Sequence, residues 1–175
     1  MTAPPGSSDS EEQMTKASDD FQTIAANLPY GGAPLPGVVT AGQPAAADFA
    51  RLATAGCTTV LDLCAPEEPR GFDEPAAVTA AGLAYVNLPV RSYTPDDSLF
   101  DQVRAVLRDE ARRPLLFHCR SANRVGGLLL PYLMLDQGLS QDEAVAIAVQ
   151  VGLRNGDLAR AALAYVARRR AAEPR

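Results

Sequence analysis

The chain has 175 residues, 47% of them apolar, and a formal net charge of −5, which suits one globular domain with a real core and, with no apolar run near the ~20 residues of a bilayer span, excludes a membrane protein. Residues 1–20 hold five acids and one base, Lys16, and so carry −4 of that charge, while the rest holds 16 acids and 15 arginines for a net of −1; a nearly neutral body without a basic patch argues against nucleic acid as a partner. Three cysteines, Cys57, Cys64 and Cys119, make no disulfide scaffold and suit reduced thiols in a cytoplasm.

The first stretch, Met1–Gln13, has neither a basic nor an apolar signal region, which points to a cytoplasmic protein. Its wealth of Ser, Pro, Asp and Glu predicts a disordered acidic tail over residues 1–20, ahead of a single domain over 21–175. Pro36–Thr40 predicts a short strand, and the turn Ala41-Gly42-Gln43-Pro44 leads to a helix over about Ala45–Ala55, with Phe49 and Leu52 on one face and Gly56 as its stop. Thr58–Leu63 is a β-branched strand ending in the loop Cys64–Gly71, dense in Pro and charge. A short Ala-rich helix over Asp73–Ala81 precedes the strand Leu83–Val90.

After the loop Arg91-Ser92-Tyr93, Thr94 and Pro95 read as the cap and first position of a helix whose buried face is Leu99, Phe100, Val103, Val106 and Leu107. Pro114–His118 is an apolar strand, and Cys119–Arg124 joins it to a helix over about Val125–Gln137. That helix is apolar nearly all round and should be central, with a kink expected at Pro131. Ser140–Glu143 is a capping box, and a last helix covers about Leu158–Arg170. Strands alternating with helices predict an α/β fold with a mostly parallel central sheet flanked by helices. Ligands of such folds sit at the carboxyl ends of the strands, where Cys119 falls.

The segment Leu116–Gly127 is a strand, a tight loop and a helix start. The single histidine, His118, precedes Cys119 at the strand end. A thiol there faces loop N–H groups and the positive end of the following helix, both of which stabilise a thiolate. Those amides also form a nest for a tetrahedral anion, and Arg124 offers a planar fork to an oxyanion. Nucleophile, cradle and clamp in one loop predict cysteine-based group transfer; a plain buried cysteine at a strand–helix junction is the alternative. Ser121 and Asn123 either donate to the anion or fix the turn.

These residues resemble the signature loop of the cysteine-dependent protein tyrosine and dual-specificity phosphatases. With Val39–Pro44, Thr59–Leu63 and Ala81–Val90, the chain over about residues 35–150 resembles the bacterial beta-lactamase hydrolase-like, phosphatase-like domain family. The resemblance implies a dual-specificity-type phosphatase fold with a strand–Cys loop–helix active site. It implies Cys119 as nucleophile beside His118, Arg124 as oxyanion arginine, and a cradle from Arg120, Ser121, Ala122, Asn123 and Arg124 up to Val125. The partner it implies is a phosphorylated small molecule or protein.

Three features depart from that family pattern. Four residues separate Cys119 from Arg124, one fewer than such phosphatases have, which resembles the loop of rhodanese sulfurtransferases. Val125 stands where a hydroxyl residue is usual. Arg91-Ser92-Tyr93 stands where the general-acid aspartate belongs, so Asp96 and Asp97 are the nearest candidates for the acid, or else ordinary first-turn carboxylates. A sulfurtransferase that takes sulfur from a sulfane-sulfur donor, and an anion-binding module without turnover, therefore remain rival readings.

Cys64 ends its strand as Cys119 does, as a resolving thiol or as core. Asp62, a carboxylate within an apolar strand, needs partners, and Glu67, Glu68, Arg70, Asp73 and Glu74 form a charged rim loop. One histidine and scattered cysteines supply no zinc site, and the Cys119 loop is the sole phosphate-cradle motif, so no metal or cofactor is expected. The pattern specifies no oligomeric state.

Overall fold

The computed structural model describes residues 8–174. Five strands, β1 (Gly32–Leu35), β2 (Val38–Ala41), β3 (Thr59–Asp62), β4 (Ala84–Asn87) and β5 (Leu115–His118), form one sheet in the order β1-β2-β5-β3-β4. Only the edge pair β1–β2 is antiparallel; β2–β5, β5–β3 and β3–β4 are parallel. Because strand side chains alternate between faces, Val38, Leu61, Leu115 and Phe117 enter one core while Val39, Val60 and Leu116 enter the other.

Helices α1 (Ser8–Asn27), α2 (Ala46–Thr54) and α3 (Glu74–Ala80) cover the second face through Phe21, Ala25, Phe49, Leu52 and Val78. The first face carries α4 (Asp97–Arg108), α5 (Asn123–Leu135), α6 (Gln141–Val151) and α7 (Gly156–Ala172). Every residue of α5 from Val125 to Met134 is buried, as its all-round apolar pattern predicts. Gly126 and Gly127 let α6 and α7 approach it. A Cβ at Gly126 would lie 2.6 Å from the Ala148 carbonyl oxygen, and one at Gly127 would lie 2.3 Å from Leu158 Cδ2. Among the described residues no helix is long and apolar enough to cross a membrane.

The expected elements are present, with three differences. Helix α1 reaches back to Ser8, into the stretch whose composition reads as a disordered tail; residues 1–7 lie outside the described residues. Its anchor is the helical spacing of Phe21, Ala25 and Leu28, all buried. The edge strand β1 carries Pro34, which an edge tolerates. Helix α4 is capped by Asp96, whose Oδ1 accepts the Leu99 N–H at 3.0 Å, rather than by Thr94.

Candidate active site

The parallel register sets Ala41, Asp62 and His118 side by side at the carboxyl ends of β2, β3 and β5. Cys119 is the next residue along, 1% exposed, with its N–H donated to the Ala41 carbonyl at 3.3 Å. The loop that follows is held from outside at each step. The Cys119 carbonyl lies 3.3 Å from His118 Nδ1, and the Arg120 carbonyl accepts the Gln43 N–H at 3.1 Å. The Ser121 carbonyl accepts from the Arg154 guanidinium at 3.3 Å. Ala122 then adopts φ 60°, ψ 0°, and α5 begins at Asn123.

Among the described residues the N–H groups of Arg120 and Ser121 have no protein acceptor. Those of Asn123, Arg124 and Val125 belong to the first helical turn, which leaves its amides without intrahelical partners. Five amides and a helix N-terminus thus border one loop.

Arg124 turns into the cleft beside this loop. Its Nη1 and Nη2 each donate to Glu68 at 2.8 Å; Nη1 also reaches the Val90 carbonyl at 3.2 Å and Nη2 the Cys64 sulfur at 3.6 Å. The hydrogen bond from Arg124 holds the Glu68 carboxyl below the usual range. Arg124 itself is held firmly charged, first by Glu68 and also by the nearby Cys119 and Cys64 sulfurs. The cleft measures about 480 Å³ and is bordered by Arg120, Ser121, Asn123 and Arg124 on one side and by Glu67, Glu68, Arg91 and Tyr93 on the other. Arg91 pairs with Glu67 across the rim.

Burial and the Asp62 charge push the Cys64 thiol up to about 12, so it stays protonated at neutral pH. Burial likewise raises Cys57, to about 11.

Behind the loop lies a buried polar network. His118 Nε2 meets Glu74 Oε1 at 2.5 Å and lies 3.7 Å from Asp62 Oδ1. Arg70 bridges the two carboxylates, at 2.7 Å from Asp62 and 3.0 Å from Glu74. Tyr85 donates to Asp62 at 2.6 Å and Gln43 to Glu74 at 2.8 Å. Burial alone would lower the His118 pKa, but the Glu74 hydrogen bond and the Asp62 and Glu74 charges outweigh it and raise it. Asp62, Cys64 and His118 place donor atoms within 4.8 Å of one another, the spacing of a small metal site. Those groups are already engaged by Arg70 and Tyr85, by Arg124 and by Glu74 respectively.

The structure brings together most of the residues that the sequence singles out, and sets others apart. Cys119, Arg120, Ser121, Asn123 and Arg124 share the loop, and all of them but Cys119, which is buried, line the cleft. His118 instead faces Glu74 within the fold and touches the loop only at the Cys119 carbonyl. Ala122 and Val125 are buried and can offer only backbone to the site. Ser121 Oγ takes an Arg154 N–H at 2.8 Å, and Asn123 Oδ1 accepts the N–H groups of Arg154 and Asn155, so both side chains help to fix the turn through their acceptor atoms. Asp96 caps α4 and Asp97 pairs with Arg168 at 2.7 Å. Neither lines the cleft, which corrects their candidacy as general acid. Two residues that the sequence does not place at the site contact it: Glu68 through Arg124 and Arg154 through Ser121 and Asn123. The sequence places Glu68 only in a charged rim loop, and no local pattern marks Arg154.

A model of the beta-lactamase hydrolase-like protein, phosphatase-like domain family matches residues 34–129. Among solved structures, a DUF442 protein of Shewanella putrefaciens is 20% identical with TM-score 0.68, over 84% of this chain and 97% of its own. TpbA of P. aeruginosa, in a complex with pTyr, is 23% identical with TM-score 0.61, over 78% and 82%. PTPMT1, in a complex with PI(5)P, is 15% identical with TM-score 0.67, over 82% and 99%. No curated protein sequence matches the chain significantly. At these identities the solved structures speak for the fold.

Proposed function

The chain belongs to the beta-lactamase hydrolase-like protein, phosphatase-like domain family, and from that premise we propose that it hydrolyses phosphate monoesters through a phosphocysteine formed on Cys119. The observation that carries this reading is the loop itself: the buried Cys119 at the carboxyl end of the central strand, five amides without intrahelical or loop acceptors after it, and Arg124 turned into the cleft that the loop borders.

In the first step the Cys119 thiolate attacks phosphorus, an S–P bond forms and the ester P–O bond breaks. The N–H groups of Arg120 and Ser121 and of the first turn of α5 meet the equatorial oxygens, whose charge builds in the transition state. Arg124 adds a cation on the same side. Water then attacks phosphorus, breaks the S–P bond and releases inorganic phosphate. His118 acts behind the loop, as a positioning residue for the Cys119 carbonyl.

The source of the leaving-group proton shapes the substrate preference. Among the described residues lining the cleft the carboxylates are Glu67 and Glu68, each paired with an arginine. Neither is a ready acid, so the reading favours esters whose leaving oxygen departs as a stable anion. A phosphorylated small molecule or protein side chain is the substrate class. Two of the matched proteins were solved with phosphorylated ligands, pTyr and PI(5)P, which supports that class without choosing within it. The three cysteines are free thiols, in keeping with a cytoplasmic setting, and residues 21–175 make up the catalytic unit of this reading.

The test pairs wild type with Cys119→Ser, measuring phosphate released from an aryl phosphate and intact mass after exposure to thiosulfate. Cys119-dependent phosphate release supports the proposal. A sulfur adduct on wild type without phosphate release replaces it with sulfur transfer, and silence in both tubes leaves an anion-binding module.

A further inference from the structure

We infer that Arg154, on the turn between α6 and α7, is a positioning residue that holds the Cys119 loop in its oxyanion-binding form; the inference rests on the phosphatase reading above. The loop contains a conformation that needs holding. Ala122 sits at φ 60°, where an L side chain brings its Cβ against the following carbonyl and only glycine rests freely. It is also fully buried.

The residues on both sides of Ala122 are fastened to the α6–α7 turn. Before it, the Ser121 carbonyl accepts from Arg154 Nη1 and Nη2, each at 3.3 Å, and Ser121 Oγ accepts from Nη2 at 2.8 Å. After it, Asn123 Oδ1 accepts the backbone N–H of Arg154 at 2.7 Å and that of Asn155 at 3.1 Å. Between these fastenings the turn closes directly on Ala122: a Cβ at Gly152 would lie 2.9 Å from the Ala122 Cβ.

The Arg154 guanidinium is itself seated, 5.7 Å from the centre of the Tyr30 ring. Tyr30 follows Pro29, whose carbonyl accepts the Gly42 N–H at 2.6 Å, one residue before the Gln43 N–H that holds the Arg120 carbonyl. Arg154 therefore ties three segments to one loop: the β1 approach, the α6–α7 turn and the Cys119 loop. Its part in the chemistry is to fix the Ser121 carbonyl away from the anion, so that the strained peptide beyond it does not relax and pull the cradle amides out of register. An arginine suits this place because its planar fork gives two N–H groups to one carbonyl and a third to the neighbouring hydroxyl while stacking on a ring.

The full chain provides the test, as wild type, Arg154→Ala, Arg154→Lys and the double variant Arg154→Ala/Ala122→Gly. Three quantities are read: the affinity for tungstate, a tetrahedral oxyanion, by calorimetry; kcat and KM on an aryl phosphate; and the thermal midpoint. For Arg154→Ala, tungstate affinity and kcat/KM both fall roughly tenfold, the range for hydrogen bonds to a charged donor. Arg154→Lys, which keeps a charge and a donor, recovers part of the loss. The double variant recovers most of it, because glycine occupies the left-handed conformation without being held.

Wild-type tungstate affinity in Arg154→Ala overturns the inference, as does a loss that Ala122→Gly does not reduce or one that tracks the thermal midpoint alone. If the wild type binds tungstate but releases no phosphate, the phosphatase reading fails while the tungstate ratios still decide the role of Arg154. If it turns over phosphate and Arg154→Ala matches it, only this inference fails. A wild type that binds no tungstate overturns both.

Discussion

Glu68 grips Arg124 through both terminal nitrogens, each at 2.8 Å, although 56 residues separate the two in sequence. The pair is mostly buried, with side-chain exposures of 14% for Arg124 and 25% for Glu68. The carboxylate therefore sets where the guanidinium points, and it is fixed in turn by the Ala65 N–H at 2.6 Å. Glu68→Ala should leave Arg124 without its guide, lowering kcat/KM roughly tenfold and stability by about 1–3 kcal/mol. Steady-state kinetics and a urea titration check this; an unaltered kcat/KM removes Glu68 from the site.

Arg124→Lys should cost more than the loss of one charge-assisted hydrogen bond. A lysine cannot make the bidentate contact with Glu68 and face an oxyanion at once. The expected loss in kcat/KM is roughly a hundredfold, with the larger part in kcat because the charge it meets grows in the transition state.

The displacement of Asp96 and Asp97 from the cleft has a kinetic consequence. With no unpaired carboxylate among the described cleft residues, the rate of the first step should depend steeply on how stable the leaving oxyanion is. A series of aryl phosphates of graded leaving-group acidity should give a strongly negative slope of log kcat/KM. Asp97→Asn should leave that slope and the rate within about twofold of wild type, since Asp97 is an exposed partner of Arg168. Asp96→Ala should cost about 1 kcal/mol of stability as a lost helix cap and leave the slope unchanged. A slope that steepens in either variant restores that residue as the acid.

What the sequence makes legible is what lies close together in it. Cys119 to Arg124 can be read as a site because strand end, loop and helix start are contiguous, and their chemistry follows from that order. The partners that orient the loop come from Gln43, Glu68 and Arg154, whose approach depends on strand order and on the turn between α6 and α7. Local patterns carry no such information. Asp96 and Asp97 mislead because a first-turn carboxylate looks alike whether it caps a helix or faces a cleft; only the packing of α4 against α7 separates the two. Helix α1 was masked in another way: the spacing of Phe21, Ala25 and Leu28 is helical, but the acids ahead of it dominate the composition. Strand β1 was hidden by Pro34, which argues against a strand anywhere but at an edge.

The buried network behind the loop predicts a pH window. His118 has a raised pKa in the folded chain, so its stabilisation is complete below its ordinary value of 6.5 and is lost as pH rises through the folded value. For Glu74, burial works to raise the pKa, but the His118 hydrogen bond and charge prevail and lower it. Its share is therefore present above its ordinary value of 4.5 and is lost as pH falls through the folded value. Glu74→Gln should thus destabilise most between pH 4.5 and 6.5, by about 2–4 kcal/mol for a broken buried pair, and progressively less at higher pH. Urea midpoints across pH check this, and a difference that is flat with pH argues against an ionic Glu74–His118 pair.

Gly126 and Gly127 should respond differently to the same substitution. In an open helix Gly→Ala stabilises by about 1 kcal/mol, so any loss here measures the clash. At Gly126 the new Cβ meets backbone, the Ala148 carbonyl oxygen at 2.6 Å and the Leu153 nitrogen at 2.8 Å, and α6 must move. At Gly127 it meets side-chain atoms of Leu158, the nearest at 2.3 Å, which can turn aside at the expense of packing. Gly126→Ala should therefore cost about 3 kcal/mol and Gly127→Ala less. Adding Leu158→Ala should offset much of the Gly127→Ala clash through the space it opens, while its effect should simply add to that of Gly126→Ala. Urea titrations of the two glycine variants, of Leu158→Ala and of the two double variants, compared at equal m-values, check the order. If Gly127→Ala proves the costlier, or Leu158→Ala couples to Gly126 instead, the contacts that seat α5 against α6 and α7 are assigned wrongly.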